Sequence, residues 1–178
     1  MPLRSWLGLS LALLISGPAT HSPEGGVPLD AQVWTAEGRQ ISLRSFWGKP
    51  TVLLYESRAA TELNRTLKDA LWRRGRDPEA RGIAQVLGVA ALQELDWWPA
   101  RALAENAVRA RQEQVGIPVL IDWKGVLTGG AWKLRPDSSS VIVLDSEGKA
   151  VFRATGALDA AQVQRVFQLL EGLTGRHD

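Results

Sequence analysis

VIVLDSEGKAVFR, running from Val141 to Arg153, is two β-prone runs folded about a turn. Val141 to Leu144 is continuously apolar, the pattern of a short strand covered on both faces. Asp145-Ser146-Glu147-Gly148 makes the turn, with Gly148 able to take the positive φ such hairpins require, and Lys149 to Arg153 is the returning strand. Just beyond, Asp159 is placed as an N-cap and Gln162 follows three residues later, the spacing of a capping box. Leu158 and Val163 have the spacing of a hydrophobic staple. Val163, Val166, Phe167, Leu170 and Leu173 then form one apolar helix face, which Gly172 and Gly175 bring to an end.

The same patterns extend outward from this hairpin and helix. Pro118 to Asp122 (PVLID) is a strand with proline at its start, where no ladder donor is needed. Pro99 to Val115 is helical and Gly116 stops it. Ile83 to Val89 is a second buried strand, and Thr51 to Tyr55 (TVLLY), after Pro50, is a third. A helix over Ala59 to Arg74 carries Leu63, Leu67, Ala70 and Leu71 at i, i+4, i+7 and i+8, with Glu62, Arg65 and Asp69 on another face. Ala31 to Thr35 and Gln40 to Leu43 make a small hairpin. Trp123 to Leu134 is glycine-rich, and Arg135 to Ser140 is expected to be a polar loop. The order is that of an α/β protein with an N-terminal β-hairpin, a mixed central sheet and helices on both faces, in three layers α/β/α.

Composition narrows the chemistry. The chain has 178 residues, no cysteine and a net charge of +2. Without cysteine there is no disulfide, thiolate metal ligand or thiol nucleophile. Its two histidines, His21 and His177, lie near opposite ends, which leaves no internal histidine for a catalytic pair. The densest basic run, Arg73, Arg74, Arg76 and Arg81, is interrupted by Asp77 and Glu79, so no clustered nucleic-acid-binding face is expected. No cofactor motif is present: there is no P-loop, GxGxxG, HExxH or EF-hand pattern. Residues 1–19 have the organisation of a secretory signal peptide. Arg4 supplies positive charge, Trp6 to Ile15 is apolar, and Gly17-Pro18-Ala19 offers a small-residue cleavage site. The apolar run is too short for a permanent membrane span. Residues 20–28 are expected to be a flexible leader, 29–175 the folded domain, and the location periplasmic or secreted.

Leu43-x-x-Phe46-x-Gly48-Lys49-Pro50 before TVLLY resembles the opening of the redoxin branch of the thioredoxin fold, as does VIVLD before SEGKAVFR and the terminal helix. More closely, Asn64-x-Thr66-Leu67, PVLID, Ser139 to Asp145 and Gly156-Ala157-Leu158 resemble the YtfJ-like family of exported thioredoxin-fold proteins. The likeness spans about residues 29 to 173 and implies a bacterial, thioredoxin-like domain. In redoxins the loop after the TVLLY-equivalent strand carries the reactive cysteine, where a helix N-terminus stabilises the thiolate. Here that loop reads Glu56-Ser57-Arg58-Ala59-Ala60-Thr61-Glu62. Redoxins also hold a cis-proline before the strand equivalent to VIVLD, and the corresponding position is Ser139. Hydroxyls have no reversible redox ladder, so thiol oxidoreductase and peroxidase activity are excluded.

What the fold retains is a face. Ser57, Arg58 and Thr61 are expected at the N-terminus of the Ala59 helix, near Ser138 and Ser139. Trp97 and Trp98 precede the Pro99 helix. Aromatic pairs of this kind anchor partners when exposed, although packing over a sheet edge accounts for them too. Trp34, Trp47 and Trp72 are expected to be core or half-buried. The leading functional reading is a non-catalytic, exported binding module for a cell-envelope protein or peptide. The alternative is a small-molecule or anion binder using the helix N-terminus near Ala59. An enzyme ranks last, because no convergent set of titratable residues is visible.

Overall fold

The computed structural model describes residues 26–76, 82 and 84–175. The expected signal peptide, residues 1–19, lies outside the described residues. Seven strands are present: β1 (Gln32–Trp34), β2 (Gln40–Ser42), β3 (Thr51–Ser57), β4 (Gln85–Ala91), β5 (Val119–Asp122), β6 (Ser139–Leu144) and β7 (Ala150–Thr155). The three α-helices are α1 (Arg65–Arg76), α2 (Ala100–Val115) and α3 (Ala160–Thr174). All strands join one sheet in the order β2-β1-β5-β4-β3-β6-β7. β3, β4 and β5 are parallel; the β1–β2, β1–β5, β3–β6 and β6–β7 pairs are antiparallel. This is the mixed sheet with an N-terminal hairpin that the sequence predicts.

The layers are unequal. Side chains alternate along a strand, so each cluster marks a face. Leu53 and Tyr55 of β3 join Val89, Leu120, Ile142 and Leu144 in one core. Val52 and Leu54 point the other way, with Val141 and Val143, against Leu67 and Leu71 of α1 and Val166 and Leu170 of α3. Ile121 faces the same way as Ala90, its register partner, and packs under Ala104 and Val108 of α2. All three helices therefore cover one face, which corrects the expectation of α-helices on both. Two successive parallel crossovers, β3-α1-β4 and β4-α2-β5, step in the same direction, and a common handedness places their helices on one side. The opposite layer is built from 3₁₀ turns at Leu43–Phe46 and Val126–Thr128 and the loop carrying Trp132 and Leu134.

Local signals held at the C-terminal end. Asp159 caps α3, accepting from Gln162 N–H at 2.8 Å, while the Gln162 side chain accepts from Asp159 N–H at 3.0 Å. Gly148 sits at φ +80° with the Trp47 indole against it, so close that a Cβ would lie 2.3 Å from the ring. Several boundaries differ from expectation, β3 among them, which runs on through Glu56 and Ser57 rather than ending at Tyr55. β4 runs from Gln85 to Ala91, shifted from Ile83–Val89. β6 begins at Ser139, inside the expected polar loop. The helix expected from Ala59 begins at Arg65, after a 3₁₀ turn at Arg58–Ala60, and Leu63 is left outside it, 48% exposed.

Candidate binding face and cleft

The parallel strands β3, β4 and β5 end at one edge of the sheet, where antiparallel β6 begins. Open α/β sheets hold their ligands at this edge. Glu56, next to last in β3, faces the helices and is mostly buried. Lys68 of α1 places its Nζ 3.0 Å from both carboxylate oxygens of Glu56 and also donates to the Thr61 carbonyl. The three donor positions of the ammonium are thus filled. Ser139 Oγ donates to Glu56 Oε1 at 3.1 Å. Asn64 Nδ2 donates to Ser139 Oγ at 2.7 Å and to the Gly156 carbonyl at 3.0 Å, and Leu158 N–H donates to Asn64 Oδ1 at 2.9 Å. A partly buried ion pair with its remaining sites satisfied fixes geometry rather than supplying a reactive group. The loop that holds a thiol in redoxins is here tied down by Glu56, Lys68 and Asn64.

The expected site residues separate accordingly. Ser139 is fully buried and engaged in this network, so it leaves the candidate face. Ser138 is half-buried and accepts from Ser57 N–H at 3.1 Å through its carbonyl. The Ser57 Oγ is buried without a hydrogen-bond partner. Arg58 is exposed, and Thr61 donates its hydroxyl to the Arg58 carbonyl at 3.2 Å. No α-helix starts at Ala59 to present free N–H groups. α1 starts at Arg65, and the Asn64 side chain preceding it is turned to β6 and the β7–α3 turn.

Arg58 and Thr61 instead stand at the mouth of a cleft between α1 and α2. It has two lobes, of about 670 and about 590 Å³, which share Leu54, Glu62, Lys68, Arg111, Val115 and Ile117. β4 floors it with Val86, Gly88 and Ala90. At Gly88 there is no side chain to fill the space, and an added Cβ would meet Val119 at 3.4 Å. Leu103 of α2 is 68% exposed on the wall. The exposed, cleft-lining stripe Leu103, Ala107, Arg111 has i, i+4, i+8 spacing, a signal available in the sequence. Glu56 and Lys68 gave no such signal.

Trp97 and Trp98 lie in the turn between Leu95 and Ala100, both of which line the cleft, though neither indole does. Trp97 is 58% and Trp98 86% exposed, so this pair is not edge packing, whereas Trp123 and Trp132 are buried. Trp72, expected to be core or half-buried, is instead 45% exposed with the Arg76 guanidinium 3.5 Å above its ring. The turn is held by Asp96, which accepts from Lys124 Nζ and, at 2.9 Å, from Arg101, whose guanidinium also lies over the Trp123 ring. The Lys124 hydrogen bond, with the charges of Lys124 and Arg101, holds the Asp96 carboxyl below the usual range against the opposing effect of burial. Asp122 and Asp145 are turn-formers: Asp122 accepts from Val126 and Leu127 N–H, Asp145 from Glu147 and Lys149 N–H. On the far face Tyr55 donates no proton readily. Burial, with the Asp122 charge, pushes its phenol up to about 12 despite a hydrogen bond from Gln93.

Residues 101–173, from α2 to the end of α3, match the family model described as "Bacterial protein of unknown function (YtfJ_HI0045)". The YtfJ resemblance holds over that stretch. An Escherichia coli (strain K12) relative, "Uncharacterized protein YtfJ", is 43% identical over 54 residues, 30% of this chain and 29% of the relative. A Haemophilus influenzae relative, "Uncharacterized protein", is 37% identical over 69 residues, 39% of this chain and 37% of the relative. The chain thus spans well under half the length of either relative in these matches. Among solved structures, the exposed lipoprotein thioredoxin Etrx1 of Streptococcus pneumoniae has a TM-score of 0.58 at 20% identity, covering 82% of this chain and 100% of that one. StoA of Bacillus subtilis has a TM-score of 0.53 at 18% identity, covering 79% and 98%. A peroxiredoxin-like protein from Aquifex aeolicus has a TM-score of 0.54 at 16% identity, covering 86% and 90%. At these identities the likeness is one of fold. The chain has that thioredoxin-like fold and no cysteine. No helix among the described residues is long and apolar enough to cross a membrane.

Proposed function

We propose that this protein is a non-catalytic binding module of the cell envelope, holding a protein or peptide partner at the strand-end edge where the cleft opens. One observation carries the reading. Trp97 and Trp98 stand 58% and 86% exposed on a turn braced by the Asp96 ion pairs. Large aromatics presented on a rigid support are the usual anchors of protein interfaces, because they desolvate much area and lose little side-chain entropy. The signal-like residues 1–19 support an envelope location, and the lack of cysteine leaves recognition as what the fold retains.

The test is site-specific photo-crosslinking in the native envelope, with the reactive side chain at position 98 and a control at Glu147, on the β6–β7 turn at the opposite edge. The expected result is a discrete adduct from position 98 alone, lost in a Trp97→Ala or Arg58→Ala background whose thermal unfolding is unchanged. No adduct from position 98 in a folded protein refutes the reading.

A further inference from the structure

We propose that the cleft between α1 and α2 is a docking groove for an amphipathic helical segment whose apolar stripe is flanked by carboxylates. This deepens the binding-module reading and rests on it. The cleft lies on the face of the floor strand β4, whose backbone groups point within the plane of the sheet, toward β3 along the whole strand and toward β5 from Gly88 to Ala91. An occupant therefore gains no backbone hydrogen bonds there and must satisfy its own, which a helix does and an added strand does not. The walls ask for apolar side chains: Leu54, Val86 and Ala90 below, Leu103, Ala107 and Val115 along α2.

Charge selects among occupants. Arg58 stands at one end, Arg111 lines both lobes, and Arg76 stands at the other end. Among the described residues none of them is ion-paired: Arg111 donates to the neutral Gln114 and Arg76 lies over Trp72. The acids on the rim are outnumbered: Glu56 pairs with Lys68, and Arg65 alone reaches both Glu62 and Asp69, at 3.6 and 3.9 Å, so five lining cations (Arg58, Arg65, Lys68, Arg76 and Arg111) face three carboxylates. A second copy docked face to face would set these arginines against each other. A fatty acid would satisfy one of them with its single carboxylate. A helix with several acidic residues beside its apolar stripe meets cations along the whole length.

The probes are a labelled designed helix with a leucine stripe flanked by glutamates, the same helix with lysines in their place, and a fluorescent long-chain fatty acid, each titrated into the full chain. The expected result is binding of the glutamate helix about tenfold or more tighter than the lysine helix at low salt, narrowing as salt rises. Arg111→Glu should reverse the preference. Ala107→Trp, on an exposed position that fills the groove without entering the core, should abolish binding with the unfolding temperature unchanged. Equal binding of the two helices, binding that survives Ala107→Trp, or binding of the fatty acid alone overturns the proposal. A position-98 crosslink that persists in Ala107→Trp overturns it too, and leaves the binding module standing.

Discussion

The seam between α1 and α3 is closed, whereas the seam between α1 and α2, on the same face of the same sheet, is open. In the closed seam Leu67, Leu71, Val166 and Leu170 bury against Val52, Leu54, Val141 and Val143. Arg74 then bridges the helices to Glu171 at 3.0 Å and lies over Phe167. Across the open seam Leu103 and Trp72 stay exposed above a floor that has a glycine at its centre. Hydrophobicity does not separate the two seams, since both are lined by aliphatic residues. The difference is position. α3 lies over β6, the immediate neighbour of β3. α2 is drawn toward the hairpin edge, where Ala104 and Val108 pack on Ile121 and Trp123 with Ala36 and Trp34. A helix committed to the edge leaves the strand behind it uncovered.

Leu67→Ala is the severest test of the closed seam. Truncating a fully buried leucine there should cost about 2–5 kcal/mol, read from the urea midpoint at constant slope. A loss below about 1 kcal/mol would mean that the seam is not packed as described. Tyr55, on the far side of β3 and the chain's one tyrosine, tests the same rigidity through pH. Its folded pKa is raised, so its contribution is intact below the unfolded value near 10 and disappears as pH climbs to about 12. Two units amount to roughly 2–3 kcal/mol of stability across that window. Phenolate absorbance followed beside urea midpoints will show it, and ordinary titration near 10 in the folded state would contradict the burial.

Asn64→Ala should cost about 2 kcal/mol, because Ser139, the Gly156 carbonyl and the Leu158 N–H all lose a partner in a dry setting. Amide exchange at Leu158 should rise with it, and protection unchanged at that amide would break the network. At the other extreme, Leu103→Ala in the open seam should move stability by less than about 0.5 kcal/mol. A larger loss would show that the cleft is closed in solution.

The fold was legible where the chain signals locally. TVLLY, PVLID and VIVL are apolar runs between turn residues, and Asp159 and Gln162 cap a helix within one turn of each other. The layer assignment failed because it depends on the direction in which successive crossovers step, which neither helix encodes alone. The start of β6 was hidden because Ser139 and Ser140 look like loop residues until their partners are known. Those partners are Asn64 and Glu56 for one and Thr155 for the other. The α1 boundary slipped for the same reason: the chain makes an extra turn so that Asn64 reaches a serine 75 residues away. Of the candidate face, residue type and neighbourhood singled out Arg58, Thr61, Trp97 and Trp98, of which the first two line the cleft. The cleft itself was not found, because an unfilled gap between two helices is a property of their separation, and separation leaves no mark on periodicity.

The strand at the middle of the sheet also sets a schedule. β3 is made early in synthesis, yet its antiparallel neighbour pairs Thr51 with Leu144 and Glu56 with Ser139. Asn64 obtains its last partner from Leu158, 94 residues later. A growing chain that has reached the glycine-rich loop holds the parallel strands and two helices but lacks β6 and β7 as well as α3. Closing such distant pairs is slow compared with local helix formation. The order of the segments alone therefore keeps the domain unfinished until nearly all of it has been delivered.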